Sequence, residues 1–408
     1  MNAVLIELVL GVRNLRRNVK RSLAALATVA SGVVAFMLAG GFIAWTLVQG
    51  REGAIHSQLG HVQIVRPGFF DRGIANPYGF LLPSEDTGLA IFQRPDVVAV
   101  TPRLLFNGLI SHGETTVAFS GEGIDPLKER PIASAMTILT GHDLGGLDER
   151  QALLGEGLAR SLAVAPGDRV VLMTTASGGG PSAIEVEVAG TFMSVAKEYD
   201  DYAVRLPIPL ARKVMRVSGA TSWVVLLTDT ERTANFVQAA NSALSSKEFQ
   251  VVPWRELADF FNKTEALFTK QVTVVKVIIG MIILLTIANT LTMSVLERTA
   301  EIGTSLAVGV PKAAVMRQHV LEGALIGIIG GLVGVALGSM LGFVISTIGI
   351  PMPPPPGMAH GFVAKISITP SLAFEAMVLA IFPTVVASVI PAWKASRMNI
   401  IEALRVGQ

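Results

Sequence analysis

The chain has 408 residues, of which 51% are hydrophobic and 16% are charged, and it contains no Cys. Soluble domains are about 25% charged, so this composition excludes an ordinary soluble protein, a disordered chain and a disulfide-rich scaffold. The net charge of +2 provides no basic field for nucleic acid, and the lack of Cys excludes thiol catalysis and Cys-ligated metals.

Four apolar runs predict four membrane spans, at 22–49, 271–296, 319–350 and 372–392. A hydrocarbon core of about 30 Å needs about 20 apolar residues, and backbone groups in lipid must bond within the segment, so we expect helices. A cleaved signal peptide is the alternative for the first run. Its apolar stretch exceeds the usual length of such a peptide, and no A-x-A site closes it.

The distribution of Lys and Arg predicts the orientation of the spans. Basic residues cluster in the N-terminal segment 1–21, in the loop 297–318 and in the tail 393–408, whereas the loop 351–371 holds only Lys365. Because basic loops stay in the cytoplasm, we expect both termini and 297–318 to be cytoplasmic. The long segment 50–270 and the short loop 351–371 are then extracytoplasmic.

The segment between the first two spans resembles a soluble α+β domain. Residues 50–271 carry 20 Lys and Arg against 25 Asp and Glu. Runs of β-branched residues predict strands at 61–65, 97–101, 115–119, 169–173, 184–192 and 223–228. We predict helices at 151–163, 230–245 and 255–270, the last continuing into the second span as a stalk. Two lobes are expected, one from about 50–120 with 230–270 and the other from 121–229.

Motifs for catalysis or metal binding are lacking in the sequence. There is no G-x-x-x-x-G-K-[ST] loop for ATP, and Gly178–Gly180 lacks the following Lys, which favours a hairpin loop. The six His have no metal-ligand spacing, and no nucleophile elbow occurs. Glu322 and Lys276 lie at the starts of the third and second spans, where both side chains can reach the interface, and Glu375 lies at the outer end of the fourth span. A proton-coupled pump or a channel lined by acidic rings is therefore not expected. We predict no catalytic residue, no metal site and no cofactor bound by the chain itself.

The third span carries small residues at four-residue spacing. Gly327 and Gly331 belong to one series, and Gly334 and Gly338 belong to another. Such spacing lets helix backbones approach closely. Packing within the chain and an interface between two copies are both consistent with the pattern.

The loop 297–318 is too short for a domain and too patterned for a plain linker. Glu297, Arg298 and Glu301 follow the second span directly, and Gly303, Gly309 and Pro311 interrupt the mixed apolar and polar sequence. An amphipathic helix that docks on a cytoplasmic partner fits this pattern. A helix on the membrane surface without a partner is the alternative.

Several strings resemble the FtsX/MacB/LolC–LolE permease family of ABC transporters. They are NLRRNVKRS (14–22), GEGLARSLAVAPGDRVVLM (155–173), ERTAEIGTSLAVGVPKAAV (297–315) and PAWKASRMNIIEALR (391–405). The resemblance implies a membrane α-helical fold with four transmembrane helices and a large α+β extracytoplasmic domain between the first two. It also implies a dimer of permease protomers in a bacterial inner membrane, working with two copies of a separate ATPase that binds ATP and magnesium. The segment with Glu297, Arg298, Glu301, Gly303, Gly309 and Pro311 would be its coupling helix.

Within this family the expected role is a permease that uses a mechanical stroke to extract or export a lipoprotein or another amphiphile. Membrane lipid and a periplasmic carrier or adaptor are further partners that the resemblance implies, although the loop 174–183 is shorter than the carrier-binding hook of LolC proteins. The alternatives are an FtsX-like signal transducer that activates an extracytoplasmic hydrolase, a MacB-like drug or peptide efflux permease, and a membrane-anchored binding domain without an ATPase.

Overall fold

A computed structural model describes residues 13, 19–73, 76–84, 89–147, 150–353 and 361–399. These residues form two compact units. The sheet unit comprises Val48–Thr264 with Met352–Phe362, and the helical unit comprises the other described residues. The predicted segment 1–21, the loop 351–371 and the tail 393–408 lie partly outside the described residues.

The described residues include four helices that are long and apolar enough to cross a membrane, as the sequence predicts. These span helices are, in order, Val19–Ala54, Asp259–Glu297, Lys312–Ile348 and Pro370–Ser396. Each begins before the predicted span, because apolar composition marks only the part that contacts lipid and a helix can continue in polar sequence. The third ends two residues earlier than predicted, where Gly349 adopts a φ of 77°.

One apolar core joins all four span helices. Its buried side chains include Val33 and Met37 of the first helix, Ile287 of the second, Ile326 of the third and Ala380 of the fourth. In the apolar part of the second helix only 11% of the residues are buried, against 39% in the first. The second helix therefore presents more apolar surface than its neighbours within the helical unit.

The stalk prediction agrees with the bounds of the second span helix, which runs unbroken from Asp259 to Glu297. No Gly or Pro interrupts its first twenty residues, so nothing removes a backbone hydrogen bond there. A separate short helix, Trp254–Leu257, precedes it. The predicted start at 255 therefore combines two helices that Ala258 separates.

Ten strands form the sheet of the sheet unit. They are β1 Val62–Val65, β2 Val97–His112, β3 Thr115–Ile124, β4 Thr137–Gly141, β5 Gln151–Gly155, β6 Arg169–Thr175, β7 Pro181–Met193, β8 Ala203–Pro207, β9 Ser222–Leu227 and β10 Gln250–Pro253. Two further strands, β11 Ile350–Met352 and β12 Phe362–Ala364, flank the loop before the fourth span helix. All six predicted strand positions coincide with strands of the structure.

The sheet has the order β10-β1-β9-β2-β3-β8-β5-β7-β4, and β6 pairs with both β2 and β7. β3 with β8 and β5 with β7 are parallel pairs, and the remaining pairs are antiparallel. The long strand β2 pairs with β9 over Val97–Arg103 and with β6 over Gly108–Ser111. β2 therefore takes part in both halves of the sheet.

Two buried clusters fill the two halves of the sheet unit. One contains Val62, Trp223 and Phe236, and the other contains Leu104, Leu154 and Leu206. The sequence predicts lobe boundaries at 120 and 229. Instead, the second part of β2 and β3 pack in the cluster with Leu154, although they lie before residue 121. Strand β9 packs in the cluster with Val62, although it lies before residue 230. Strand pairing decides this, since β9 lies between β1 and β2.

The helices of the sheet unit are Pro126–Glu129, Glu156–Leu162, Lys197–Asp200, Ile208–Met215, Thr233–Ala243 and Trp254–Leu257. The predicted helix 151–163 is wrong in its first part, because Gln151–Gly155 is strand β5. β5 lies between β7 and β8, and Ala152, Leu153 and Leu154 are all buried. A strand covered on both faces is apolar throughout, so its sequence lacks the alternation that identifies a half-exposed strand.

Candidate functional site

A short helix, Thr299–Ala307, follows the second span helix after Arg298 alone. It ends at a turn in which Gly309 has a φ of 97°, a conformation that favours glycine. Pro311 then precedes the third span helix, which begins at Lys312. The predicted segment 297–318 is therefore not one helix, since residues 312–318 belong to the third span helix.

The short helix is fixed by one face. Ile302 and Leu306 pack with Val295, Val315 and Ala395, which come from the three neighbouring span helices. Glu301 and Thr304 lie on its exposed side, and Val308, which follows its last residue, is 82% exposed. Within the helical unit, one face of this helix therefore packs against the span helices. The opposite face is accessible and carries both polar and apolar side chains.

Three of the predicted coupling residues form ion pairs at the base of the short helix. Glu297 pairs with Arg21 of the first span helix. Arg298 Nε lies 3.5 Å from Glu301 Oε2, and Arg298 Nη1 lies 3.9 Å from Glu322 Oε2. The side chain of Glu322 is 6% exposed, so it is covered by protein rather than open to its surroundings. Burial of this carboxylate beside Arg298 ties the start of the short helix to the third span helix.

A cavity of about 400 Å³ lies between the short helix and the start of the third span helix. Its lining residues are Arg298, Glu301, Ile302, Ser305, Val310, Ala314, Val315, Gln318 and His319. Of the six predicted coupling residues, the cavity brings Arg298 and Glu301 together. Gly303 is buried in the short helix, and Gly309 and Pro311 form the turn.

The four glycines predicted to pack on the third span helix, Gly327, Gly331, Gly334 and Gly338, contact other helices of the same chain. A Cβ added at Gly327 or Gly331 would meet Ala380 of the fourth helix, at its carbonyl oxygen (3.1 Å) and its Cβ (3.0 Å). A Cβ at Gly334 would lie 2.6 Å from Val33 Cβ, and one at Gly338 would lie 3.0 Å from Met37 Sδ, both in the first helix. These contacts favour the packing interpretation, since both glycine faces are already covered.

A buried polar chain at the end of the first span helix was not predicted. The backbone N–H of Leu227 donates to His61 Nδ1 over 3.0 Å, so the ring proton lies on Nε2, which donates to Thr230 Oγ1, also 3.0 Å away. Thr230 in turn donates to Glu52 Oε1. His61 is 1% exposed. The apolar run that follows it in HVQIV was the available signal, since a His next to a buried strand needs partners for both nitrogens.

A second unpredicted feature is a buried set of two acids and two bases. Arg205 of β8 bonds Glu122 of β3, and Arg103 of β2 bonds Glu129 of the helix Pro126–Glu129. Burial raises the pKa of Glu122, but the charges of Arg205 and then Arg103 outweigh this and hold it below its usual value. Arg103 also donates to the carbonyl of Gln58, in the turn that follows the first span helix. The set therefore links that turn to the sheet.

Among the described residues, no group of three or more His, Asp or Glu is arranged to hold a metal ion. The short helix with the cavity beside it is the accessible feature on which the predicted coupling residues Arg298 and Glu301 meet.

Comparison with known proteins agrees with this organisation. The model of the MacB-like periplasmic core domain matches residues 22–243, and the model of the FtsX-like permease C-terminal domain matches residues 273–400. The first model alone covers more than half of the chain.

Two relatives illustrate the range of this similarity. The macrolide export ATP-binding/permease protein MacB of Hyphomonas neptunium is 27% identical over 417 residues, which cover 96% of this chain and 59% of that protein. The chain thus spans about three fifths of the length of that relative. The lipoprotein-releasing system transmembrane protein LolC of Xylella fastidiosa (strain Temecula1) is 27% identical over 331 residues, covering 76% of this chain and 78% of LolC.

Among solved structures, the periplasmic region of MacB from Actinobacillus actinomycetemcomitans is similar to 53% of this chain, with 98% of its own chain covered, a TM-score of 0.38 and 14% identity. The extracellular domain of the transporter YknZ is similar to 47% of this chain, with 98% of its own chain covered, a TM-score of 0.34 and 14% identity. The two family models and the four apolar helices carry the assignment: the chain belongs to the FtsX-like permease family with a MacB-like periplasmic core domain, and is an ABC-transporter permease of the MacB/LolC/FtsX type.

Proposed function

We propose that this chain is the membrane subunit of an ATP-driven transporter that extracts or exports a lipoprotein or a comparable amphiphile on the periplasmic side of a bacterial inner membrane. ATP and magnesium would bind to a separate ABC ATPase, present in two copies and serving two permease protomers. The sequence itself has no P-loop. The observation that carries the proposal is the short helix Thr299–Ala307, anchored by Ile302 and Leu306 with its opposite face accessible.

The proposed mechanism is a mechanical stroke. Movement of the ATPases would act on the short helix, which follows the second span helix after one residue. Because that span helix runs unbroken for 39 residues, it would transmit the movement toward the sheet unit. The charges near the span ends also suit this mechanism, since Lys276 of the second span helix and Glu375 of the fourth form an ion pair with each other.

Amphiphile release is tested in proteoliposomes that contain the permease and an ABC ATPase encoded in the same gene cluster. We expect ATP to drive transfer of a fluorescently labelled, triacylated lipoprotein to an acceptor, because the stroke acts on a substrate held in the outer leaflet. A matched preparation contains a macrolide in place of the lipoprotein.

The outcomes separate the candidate functions. Macrolide efflux without lipoprotein transfer would contradict a lipoprotein substrate. It would support the efflux role after which the MacB relative is named. ATP-dependent activation of a cell-wall hydrolase, with neither substrate moved, would contradict transport altogether. Failure of every ATPase tested to bind the permease would leave only a membrane-anchored binding domain.

A further inference from the structure

The cavity beside the short helix is lined by both polar and apolar side chains. Arg298, Glu301, Ser305, Gln318 and His319 supply the polar side chains, and Ile302, Val310, Ala314 and Val315 supply the apolar ones. Its volume of about 400 Å³ lies near the lower end of the range for ligand pockets, about 300–1,000 Å³. The cavity is thus of a size and lining suited to a long side chain with an apolar stem and a polar tip.

His319 determines which kind of polar tip fits. Its Nδ1 lies 2.9 Å from the carbonyl oxygen of Val315, one turn earlier in the helix. A carbonyl oxygen only accepts, so Nδ1 carries the proton and, in the neutral ring, Nε2 is an acceptor. The residue is 5% exposed, and among the residues that the structure describes Nε2 has no hydrogen-bond partner. A buried acceptor in a cavity wall calls for a donor from outside.

The charges around the cavity also favour a hydrogen-bond donor as the incoming group. Arg298 contributes one positive charge, and Glu301 and the adjacent Glu322 contribute two carboxylates. An incoming carboxylate would meet two like charges and no free donor on His319. A guanidinium offers donors and no acceptor, and its apolar stem can lie along Ile302 and Val315.

We propose that the cavity is the receptor for a long, hydrogen-bond-donating side chain of the ABC ATPase, such as an arginine, whose tip donates to His319 Nε2. This inference rests on the proposed function and deepens it. The short helix is the surface on which the ATPase docks. The cavity, called the socket below, holds one ATPase side chain and so fixes the position of the ATPase along the helix. His319 is then a positioning residue at the interface, and Ala314 sets the width of the socket.

Two matched pairs of variants test the socket in the full-length chain in lipid nanodiscs, with the purified ATPase of the same gene cluster as the probe. Ala314→Phe fills the cavity, whereas Ala313→Phe adds the same ring at an exposed neighbouring position outside the lining. His319→Phe removes the acceptor, whereas His319→Gln restores one at the end of a side chain of similar reach. We expect Ala314→Phe and His319→Phe to weaken ATPase affinity by about tenfold or more and the two controls to stay within about threefold, because a buried donor would lose its partner.

A spectroscopic measurement separates an interface role from a structural one. With ¹⁵N-labelled histidine, we expect the His319 Nε2 resonance to move when the ATPase is added and to remain unchanged when the Ala314→Phe variant is used. Equal affinities for Ala314→Phe and Ala313→Phe, or an Nε2 already hydrogen-bonded before addition, would overturn the socket while leaving ATPase binding intact. No binding by the unmodified chain would overturn the proposed function as well.

Discussion

His61 illustrates how far a single residue departs from its ordinary chemistry in this fold. Both ring nitrogens have partners in the sheet unit, and the side chain is shielded from solvent. Burial, followed by the nearby His56 ring, lowers the pKa of His61 from 6.5 to about 4, against the opposing charge of Glu52. The imidazole is therefore neutral at neutral pH and ties β1 to β9 as an uncharged hydrogen-bonding group.

This pKa predicts an acid-sensitive contribution to stability. In the unfolded chain His61 takes up a proton as the pH falls below 6.5, whereas in the folded chain it does so only near pH 4. The folded state is thus disfavoured as the pH falls through this window, by about 3 kcal/mol in total.

We expect the free energy of unfolding of the full chain in detergent to fall between pH 6.5 and pH 4, and His61→Asn to reduce this slope. His142→Asn, at an exposed position, is the control and keeps the slope. An unchanged pH dependence in the His61 variant would contradict the assignment.

At the scale of elements, the third span helix is defined by the glycines that face its neighbours. Gly327 and Gly331 contact the fourth helix, and Gly334 and Gly338 contact the first helix. Lipid tails are as apolar as the side chains of a membrane helix, so the hydrophobic effect does not drive such helices together. Close approach of the backbones and van der Waals packing hold them in contact instead. Each glycine therefore stabilises the helix packing because its missing side chain leaves room for a particular residue of the neighbouring helix.

Gly334→Leu tests this packing. Its Cβ alone would lie 2.6 Å from Val33 Cβ and 2.9 Å from the carbonyl oxygen of Ala30, so the first helix must move away. Overpacking of this kind costs about 1–3 kcal/mol. We expect a lower thermal unfolding temperature in detergent, whereas Ala336→Leu, on an exposed position of the same helix, leaves it nearly unchanged. Equal unfolding temperatures for the two variants would mean that Gly334 does not pack as described.

For the whole molecule, the orientation in the membrane is the main prediction that the fold leaves to experiment. The distribution of Lys and Arg predicts that the short helix Thr299–Ala307 is cytoplasmic and the sheet unit extracytoplasmic. The natural chain has no Cys, so a single introduced thiol reports its own position.

We expect Ser246→Cys in the sheet unit to react with a membrane-impermeant maleimide in cells with a permeabilised outer membrane. Val308→Cys should react only after the inner membrane is opened, although the position is 82% exposed. Reaction of Val308→Cys in sealed cells would reverse the orientation and place the short helix out of reach of an ATPase.

Elements marked by composition or by a strict period were predictable. Uncharged runs identified the four span helices, and alternation in IEVEVAG identified β7, because each depends only on residues close in sequence. For β5 the sequence predicts a helix instead of a strand, because Ala152, Leu153 and Leu154 are all apolar and their covering neighbours come from the distant strands β7 and β8. The predicted breaks Gly309 and Pro311 do form a turn. The sequence did not indicate that the third span helix begins immediately after this turn, at Lys312.

The 51% apolar fraction and its concentration in four runs were enough to determine that this chain is a four-helix membrane protein with a folded insert, since a spanning segment must be long, apolar and helical whatever surrounds it. Only the tertiary structure decided which partner each special residue meets. Gly327 and Gly334 share a helix and a spacing yet contact different neighbours, and His319, ordinary in sequence, becomes a buried acceptor in a cavity wall. Local pattern fixes which face is buried, whereas the identity of the covering group depends on residues distant in sequence.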